Sequence, residues 1–450
     1  MRNASLLERR RNSTKDASRP DDMCHNGGTP TRYAWIVKRM ERVRLYPTPS
    51  QAARLVMMLD VTRQLYNAAL QERRDAYRMR GISVTARMQY AELTALRSPA
   101  ERIDSRLSSV YRECEDATLR RLDLAMKAFF RRVKRGEKAG YPRFRSRSRW
   151  QTLQFPHGDR ALRLNELQTK VTVPSVGVVR LRKGRRVWAF GRAMISLRAG
   201  RWYATFECER DACPLEKTGR RVGIDRGVVA VVATSDGELI ALPDNMERHR
   251  AKVRVAQKRL SRCARGSRRR GKARLLLARA HEVAASARRD FLHKLSRRIA
   301  DRYDVIAIEK LNVGAMTRSA AGTLEEPGTN VRAKAGLNRE ILNAGWSILR
   351  QLLVEKAESA ARTIVEVDPK NTSRECSSCG LVDAGSRRSQ SAFDCAGCSY
   401  AENADINAAR VILKRAELRP AGSLSALAPG VDLRSALSSG RTRLTSQDAA

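Results

Sequence analysis

The sequence predicts an α/β multidomain protein, and three observations carry that expectation. Two continuous apolar strands, Val222-Gly223-Ile224-Asp225 and Val305-Ile306-Ala307-Ile308-Glu309, each end on an acid and flank a long Arg-rich helical stretch. Short β-rich segments fill 140–210. Two Cys-x2-Cys pairs, Cys376/Cys379 and Cys395/Cys398, stand 15 residues apart ahead of an alanine-rich helix. A chain of 450 residues is also longer than one core ordinarily serves.

Taken in order, residues 1–33 are polar and basic and are expected to be disordered. Trp35 to Leu45 has a strand pattern, and Tyr46-Pro47-Thr48-Pro49-Ser50 turns the chain, with Ser50 able to cap a helix. Leu55, Met58, Leu59, Thr62, Leu65, Tyr66 and Ala69 follow at helical spacing. A second amphipathic helix is expected near 113–135. Leu122, Ala125, Met126, Phe129 and Phe130 mark its apolar face, and Arg120, Arg121, Lys127, Arg131, Arg132, Lys134 and Arg135 the other. Seven positive charges without interleaved acids favour a phosphate-facing role over a merely solvated face. The loop Gly140-Tyr141-Pro142-Arg143-Phe144 mixes aromatic and basic side chains. Strand-like runs at 170–173, 176–181, 194–197 and 202–208 suggest a small barrel able to grip a backbone and stack bases.

From Arg221 the strand ending at Asp225 is followed by a second strand at 228–234, and Asp236-Gly237 turns into 239–242. Helix is expected over roughly 246–303, broken near 266–271, and again near 338–361 before the strand Thr363–Val367. Asp405 opens the alanine-rich helix, and 417–450 reads as a flexible tail.

Charge narrows the function class. Lys and Arg number 89 against 47 Asp and Glu, a net +42, which a polyanion neutralises with counterion release. Most of the excess is Arg, suited to forking onto phosphate. No run approaches the ~18 apolar residues of a membrane span. No secretory h-region opens the chain, and no membrane partner is expected.

Three acids carry the candidate chemistry: Asp225 and Glu309 at strand ends, Asp405 before a helix. Hairpin strands, a parallel strand and then a helix starting at the third acid is the order of an RNase H-like fold. There the acids converge at one sheet end and hold two divalent ions roughly 4 Å apart. Mg2+ suits such oxygen ligands, with Asp225 bridging and Glu309 and Asp405 each holding a side. Spacing alone leaves Asp394 and Glu402 open beside Asp405. The four cysteines match a four-thiolate zinc ribbon, structural rather than catalytic because four thiolates leave no open position.

The motifs resemble those of TnpB, the transposon-encoded RNA-guided nucleases, and of the related compact type V CRISPR effectors. The resembling segments are Leu45-Tyr46-Pro47-Thr48 with Tyr66-Asn67, Gly140-Tyr141-Pro142-Arg143-Phe144, Gly223-Ile224-Asp225-Arg226-Gly227 and Ile308-Glu309-Lys310-Leu311. They continue through Lys334-Ala335-Gly336-Leu337-Asn338-Arg339, Thr372-Ser373 with the Cys pairs, and Asn403-Ala404-Asp405-Ile406-Asn407-Ala408-Ala409, covering about 40–415.

The resemblance implies a RuvC-like nuclease over 216–370 and 401–416, with the zinc ribbon inserted at 371–400. It implies a wedge-like β-barrel over 34–49 and 136–215 into which a helical recognition lobe, 50–135, is inserted. Asp225, Glu309 and Asp405 fall on the catalytic positions, with Asn407 and Arg339 as supporting residues or structural caps. Tyr46, Tyr141, Arg143, Phe144, Arg131, Arg132, Lys134 and Arg339 are the expected nucleic-acid contacts. A guide RNA would supply sequence specificity while the protein reads a short motif flanking the target DNA. The protein would act in the prokaryotic cytoplasm, as a monomer or as a homodimer per guide RNA. The competing expectation is a guide-directed DNA-binding protein that does not cut. Loss of the acids would mark it, and here all three are present.

Overall fold

The computed structural model describes residues 35–98, 105–184, 186–323 and 326–418. The expected disorder of 1–33 and all but the first two residues of the expected tail lie outside them. Among the described residues no helix is long and apolar enough to cross a membrane.

The N-terminal half begins with β1 (Ile36–Tyr46) and passes into four helices, α1 (Pro49–Arg80), α2 (Ala86–Leu96), α3 (Ser105–Ser108) and α4 (Arg112–Lys134). It then returns to sheet through β2 (Thr152–Phe155), the short α5 (Gly158–Ala161), β3 (Arg163–Leu164), β4 (Lys170–Val173), β5 (Gly177–Leu181), β6 (Phe190–Arg198) and β7 (Arg201–Asp211). The strands form one antiparallel sheet in the order β2-β6-β7-β1-β5-β4-β3. One hydrophobic cluster runs from the sheet (Val43, Phe155, Ile195, Phe206) into the helices (Leu55, Met58, Leu119, Leu122).

Thr48, rather than Ser50, caps α1. Its side chain accepts from Gln51 N while Gln51 Oε1 accepts from Thr48 N, with Pro49 between them, so a full capping box outcompetes a lone serine. The helix stops at Gly81, whose φ of 66° is left-handed. Helix α2 and strand β2 had no clear signal in the sequence.

The second half opens with β8 (Arg221–Asp225), β9 (Ala230–Thr234) and β10 (Leu239–Ala241). Helices α6 (Asn245–Ser261) and α7 (Arg268–Arg302) form a hairpin, followed by β11 (Val305–Glu309), α8 (Val313–Met316), α9 (Val331–Ala344), α10 (Trp346–Ala360) and β12 (Thr363–Val367). The expected single helix near 338–361 is two, because Gly345 takes a left-handed φ of 74° between them. A small hairpin, β13 (Ala392–Asp394) and β14 (Ala401–Asn403), precedes α11 (Ala404–Glu417).

The five-stranded sheet has the order β10-β9-β8-β11-β12, with β8, β11 and β12 parallel and the other two antiparallel. One face packs Val222, Ile224, Ile306, Ile308 and Ile364 against Leu292, Leu295 and Ile299 of α7 and Leu349 and Leu353 of α10. The opposite face packs Ala307, Val365 and Val367 against Ile412 and Ala416 of α11. Side chains alternate along a strand, so Asp225 shares the α11 face with Gly223, and Glu309 shares it with Ala307. Gly223 lets the helix close down: a Cβ there would lie 2.0 Å from the Ala409 carbonyl oxygen.

Candidate active site and zinc ribbon

Asp225 and Glu309 come from adjacent parallel strands. Their register pairs Ile224 with Ile308, so the two acids follow side by side at the carboxyl end. Asp405 comes from the first turn of α11, whose N-cap Asn403 accepts hydrogen bonds from Asp405 N at 3.0 Å and Ile406 N at 3.3 Å. The loop after Asp225 brings Gly227 beneath Asp405: a Cβ at Gly227 would lie 3.5 Å from Asp405 Oδ2.

The electrostatics record the convergence. Burial, followed by the charges of Glu309 and Asp405, pushes the Asp225 carboxyl up to about 7. Burial also raises Glu309, opposed first by the hydrogen bond from Thr372 Oγ1 at 2.5 Å. Asp405 is raised by burial and held back by Arg387, whose Nη2 stands 3.4 Å from Oδ1. Three carboxylates that resist ionising together form a cluster that a divalent cation would relieve. Their donors are all oxygen, as Mg2+ prefers.

Behind the acids, Arg226 is buried and donates to the main-chain oxygen of Glu309 and, at 3.4 Å, to that of Trp346. Trp346 Nε1 returns a bond to Gly227 O at 2.9 Å. These contacts lash together the two strand ends that carry acids. Sequence reasoning assigned no role to Arg226, Thr372 or Arg387. The Gly-Ile-Asp-Arg-Gly and Thr-Ser motifs contained the first two without indicating what they touch.

The four cysteine Sγ atoms form a compact group, with Cys376 and Cys398 3.7 Å apart and Cys379 and Cys395 3.6 Å apart. Ser378 N and Gly397 N each donate to a sulfur at 3.4 Å. The Gly397 N–H is the largest influence on Cys395, whose thiol is lowered to about 7. Such donors stabilise thiolates, the form that binds zinc. Gly380 has the left-handed φ of 80° expected of a knuckle. At Gly397 an added Cβ would lie 2.7 Å from the end of the exposed Leu381 side chain, which can swing aside. Asn407 is fully buried and fastens the ribbon to α11, accepting from Ser377 N and donating to Glu375 O, both at 2.8 Å.

Of the expected nucleic-acid contacts, Arg339 is exposed on α9. Arg131, Arg132 and Lys134 are exposed at the end of α4, beside the loop carrying Tyr141, Arg143 and Phe144. Tyr141 meets Phe129 edge-on at 5.2 Å, and Arg74 stacks over Phe144 at 5.3 Å. Asn67 anchors this segment to α1 by bonding both N and O of Arg145, at 2.8 and 3.1 Å. Tyr46 is 42% exposed beneath Arg44. Arg121 departs from the expected basic face: it is half-buried over the Trp150 ring at 4.4 Å. Phe130, expected on the apolar face, is 59% exposed.

Comparison with known proteins adds an independent line. The OrfB_IS605 profile, described as a probable transposase, matches residues 205–320, and a Cas12f1-like TNB domain matches 346–412. A profile described as a helix-turn-helix domain matches 37–81, where this chain has β1 followed by the single helix α1. A protein of Escherichia coli (strain K12) named "Putative RNA-guided DNA endonuclease InsQ" is 35% identical over 298 residues, 66% of this chain and 72% of that one. A "Putative RNA-guided DNA endonuclease" of Streptomyces pristinaespiralis is 31% identical over 413 residues, 90% of this chain and 94% of its own. The CRISPR-associated endodeoxyribonuclease Cas12f1 of Sulfoacidibacillus thermotolerans is 30% identical over 231 residues, 48% of this chain and 50% of that one. On this similarity, nearly end to end for the Streptomyces protein, the chain belongs to the TnpB-like family of RNA-guided DNA endonucleases.

Proposed function

We propose that this protein is an RNA-guided DNA endonuclease that cuts a target DNA strand at a single RuvC site formed by Asp225, Glu309 and Asp405. The observation that carries the reading is the convergence of three carboxylates from β8, β11 and α11, with Asp225 held near 7 by burial and its neighbours. The nuclease is an RNase H-like domain formed by 216–370 and 401–416. The ribbon at 371–400 holds a structural Zn2+ through Cys376, Cys379, Cys395 and Cys398. A wedge-like barrel (34–49 and 136–215) and a recognition lobe (50–135) hold the RNA–DNA duplex and read a short flanking motif.

Asp225, Glu309 and Asp405 would hold two Mg2+ ions, which when bound supply an activated water and charge stabilisation at both the attacking and leaving oxygens. The chain's own residues do the rest. Arg226 fixes the strand ends, Thr372 donates a hydrogen bond to Glu309, and Arg387 sets a positive charge at Asp405. Arg131, Arg132, Lys134, Arg143 and Arg339 offer exposed cations to phosphates, and Tyr46, Tyr141 and Phe144 offer exposed rings to bases.

The test is to express the gene with its flanking DNA, sequence the RNA that copurifies, and challenge the complex with a matched plasmid carrying a randomised flank. Cleavage lost on Asp225→Ala, with RNA retained, is the expected result. Bound RNA with an intact plasmid, unchanged by Asp225→Ala, would favour a protein that binds without cutting.

A further inference from the structure

Glu309 leaves the sheet with one carboxylate oxygen already engaged. Thr372 Oγ1 lies 2.5 Å from Glu309 Oε1, and the two residues are only 3% and 7% exposed. A hydroxyl carries one hydrogen and a carboxylate none, so Thr372 is the donor whenever Glu309 is ionised. The same hydroxyl is 3.0 Å from the Pro369 carbonyl oxygen, which can only accept. One hydrogen cannot serve both fully, and the charged acceptor makes the stronger bond.

Thr372 belongs to neither strand nor helix of the nuclease sheet. It stands in the linker between β12 and the first ribbon cysteine, just after Asn371, whose φ is 61°. Arg374 N and Glu375 N both donate to Asn371 O, at 2.9 and 3.0 Å, closing a tight turn around it. Both flanks of that turn are tied to α11. Upstream, Arg415 donates to Asp368 O at 3.0 Å and Lys370 O at 2.7 Å. Downstream, Asn407 holds Ser377 N and Glu375 O. The position of the hydroxyl is therefore fixed by the helix that also carries Asp405.

We infer that Thr372 is a positioning residue: its hydroxyl holds Oε1 of Glu309 so that Oε2 is left for a divalent ion, and docking of the ribbon linker on α11 sets where that hydroxyl stands. The inference rests on the assignment of Glu309 as a metal ligand made above. An outer partner that orients a ligating carboxylate commonly changes metal affinity by about 10- to 100-fold when removed.

Thr372→Val keeps the shape and removes the hydrogen, whereas Thr372→Ser keeps the hydrogen. Both are made in the full chain bound to its guide RNA. With hydrogen peroxide and ascorbate supplied, Fe2+ at the site is oxidised to Fe3+ as peroxide is split to hydroxide and hydroxyl radical, which cuts the nearby backbone, and added Mg2+ suppresses the cuts by competition. Cuts near 225, 309 and 405 are scored against cuts elsewhere in the chain, so the readout is local. Zinc content and the Mg2+ dependence of plasmid cleavage are measured alongside. The expected result is that Thr372→Val needs about 10-fold more Mg2+, or beyond, both for suppression of the cuts and for half-maximal cleavage. Zinc content stays unchanged, and Thr372→Ser returns close to the parent. A Val variant that titrates like the parent overturns the inference. So does a Ser variant as defective as Val with zinc lost, which would mean that the residue only packs the ribbon. Asp225→Ala separates the two levels. Scission near 225, 309 and 405 that persists in Asp225→Ala refutes the metal assignment itself. Scission abolished there but untouched by Thr372→Val refutes only the role of Thr372.

Discussion

Gly223→Ala is expected to damage the nuclease without touching any charged group. The added methyl would stand 2.0 Å from the Ala409 main-chain oxygen, 2.8 Å from Leu413 N and 2.9 Å from Leu413 Cβ. Two of these are backbone atoms of α11, so no rotamer change relieves the clash. The helix must retreat by about 1 Å, or β8 must bend away. Overpacking of this kind costs about 1–3 kcal/mol and occasionally more. The functional cost is expected to be larger, because the helix that must move carries Asp405 while the strand carries Asp225. A displacement of about 1 Å among reacting groups is worth roughly 100-fold in rate. The assay pairs thermal unfolding with plasmid cleavage by the guide-loaded protein, using Gly336→Ala as control. Gly336 lies within α9, and a methyl added there would meet nothing within 4 Å, so alanine is expected to gain about 0.5–1 kcal/mol and leave cleavage intact. Wild-type melting and cleavage by Gly223→Ala would refute the argument that close helix–strand approach sets the geometry of the acids.

Three further outcomes follow from the same structure. Asp225 sits near 7 when folded against about 3.9 unfolded, so the folded state binds that proton more tightly. Stability without Mg2+ should fall as pH rises from about 4 to about 7 and level off above, by a few kcal/mol at most. Asp225→Asn should flatten that slope and raise the melting temperature at pH 8, measured by scanning fluorimetry in Mg2+-free buffer, while abolishing cleavage. Cys379→Ser should lower zinc content, read by elemental analysis, and loosen the linker holding Thr372, so cleavage should fall even though no catalytic carboxylate is altered. Replacing Arg131, Arg132 and Lys134 together by Ala should make log-affinity for RNA less steep in log-salt by about 2–3, read from binding isotherms at several salt concentrations. An unchanged slope would remove that end of α4 from the nucleic-acid interface.

Much of this architecture was legible in the chain itself because its signals are local. The apolar runs at 222–225 and 305–309 announced strands, the cysteine spacing announced the ribbon, and the helical hairpin at 245–302 was foreshadowed down to its break near Gly266. The two interruptions that were missed have local causes of a subtler kind. Gly345 splits what read as one helix, and the capping box of Thr48 and Gln51 displaces the cap from Ser50. Side-chain roles were less legible. Arg121 has the same sequence signal as its exposed neighbours, and only packing against Trp150 takes it off the basic face.

The sequence by itself determined which acids are available, that a four-cysteine cluster stands between Glu309 and Asp405, and that the protein carries charge for a polyanion. Those follow from residue type, period and spacing along a short stretch. Only the tertiary structure decided that Asp225 and Glu309 turn to the same face as α11. It also decided that Thr372 reaches Glu309 across 63 residues of sequence and Arg226 the Glu309 carbonyl across 83. Strand register and helix docking settle those contacts, and both are set by burial of apolar faces distant in the chain, which no local pattern encodes.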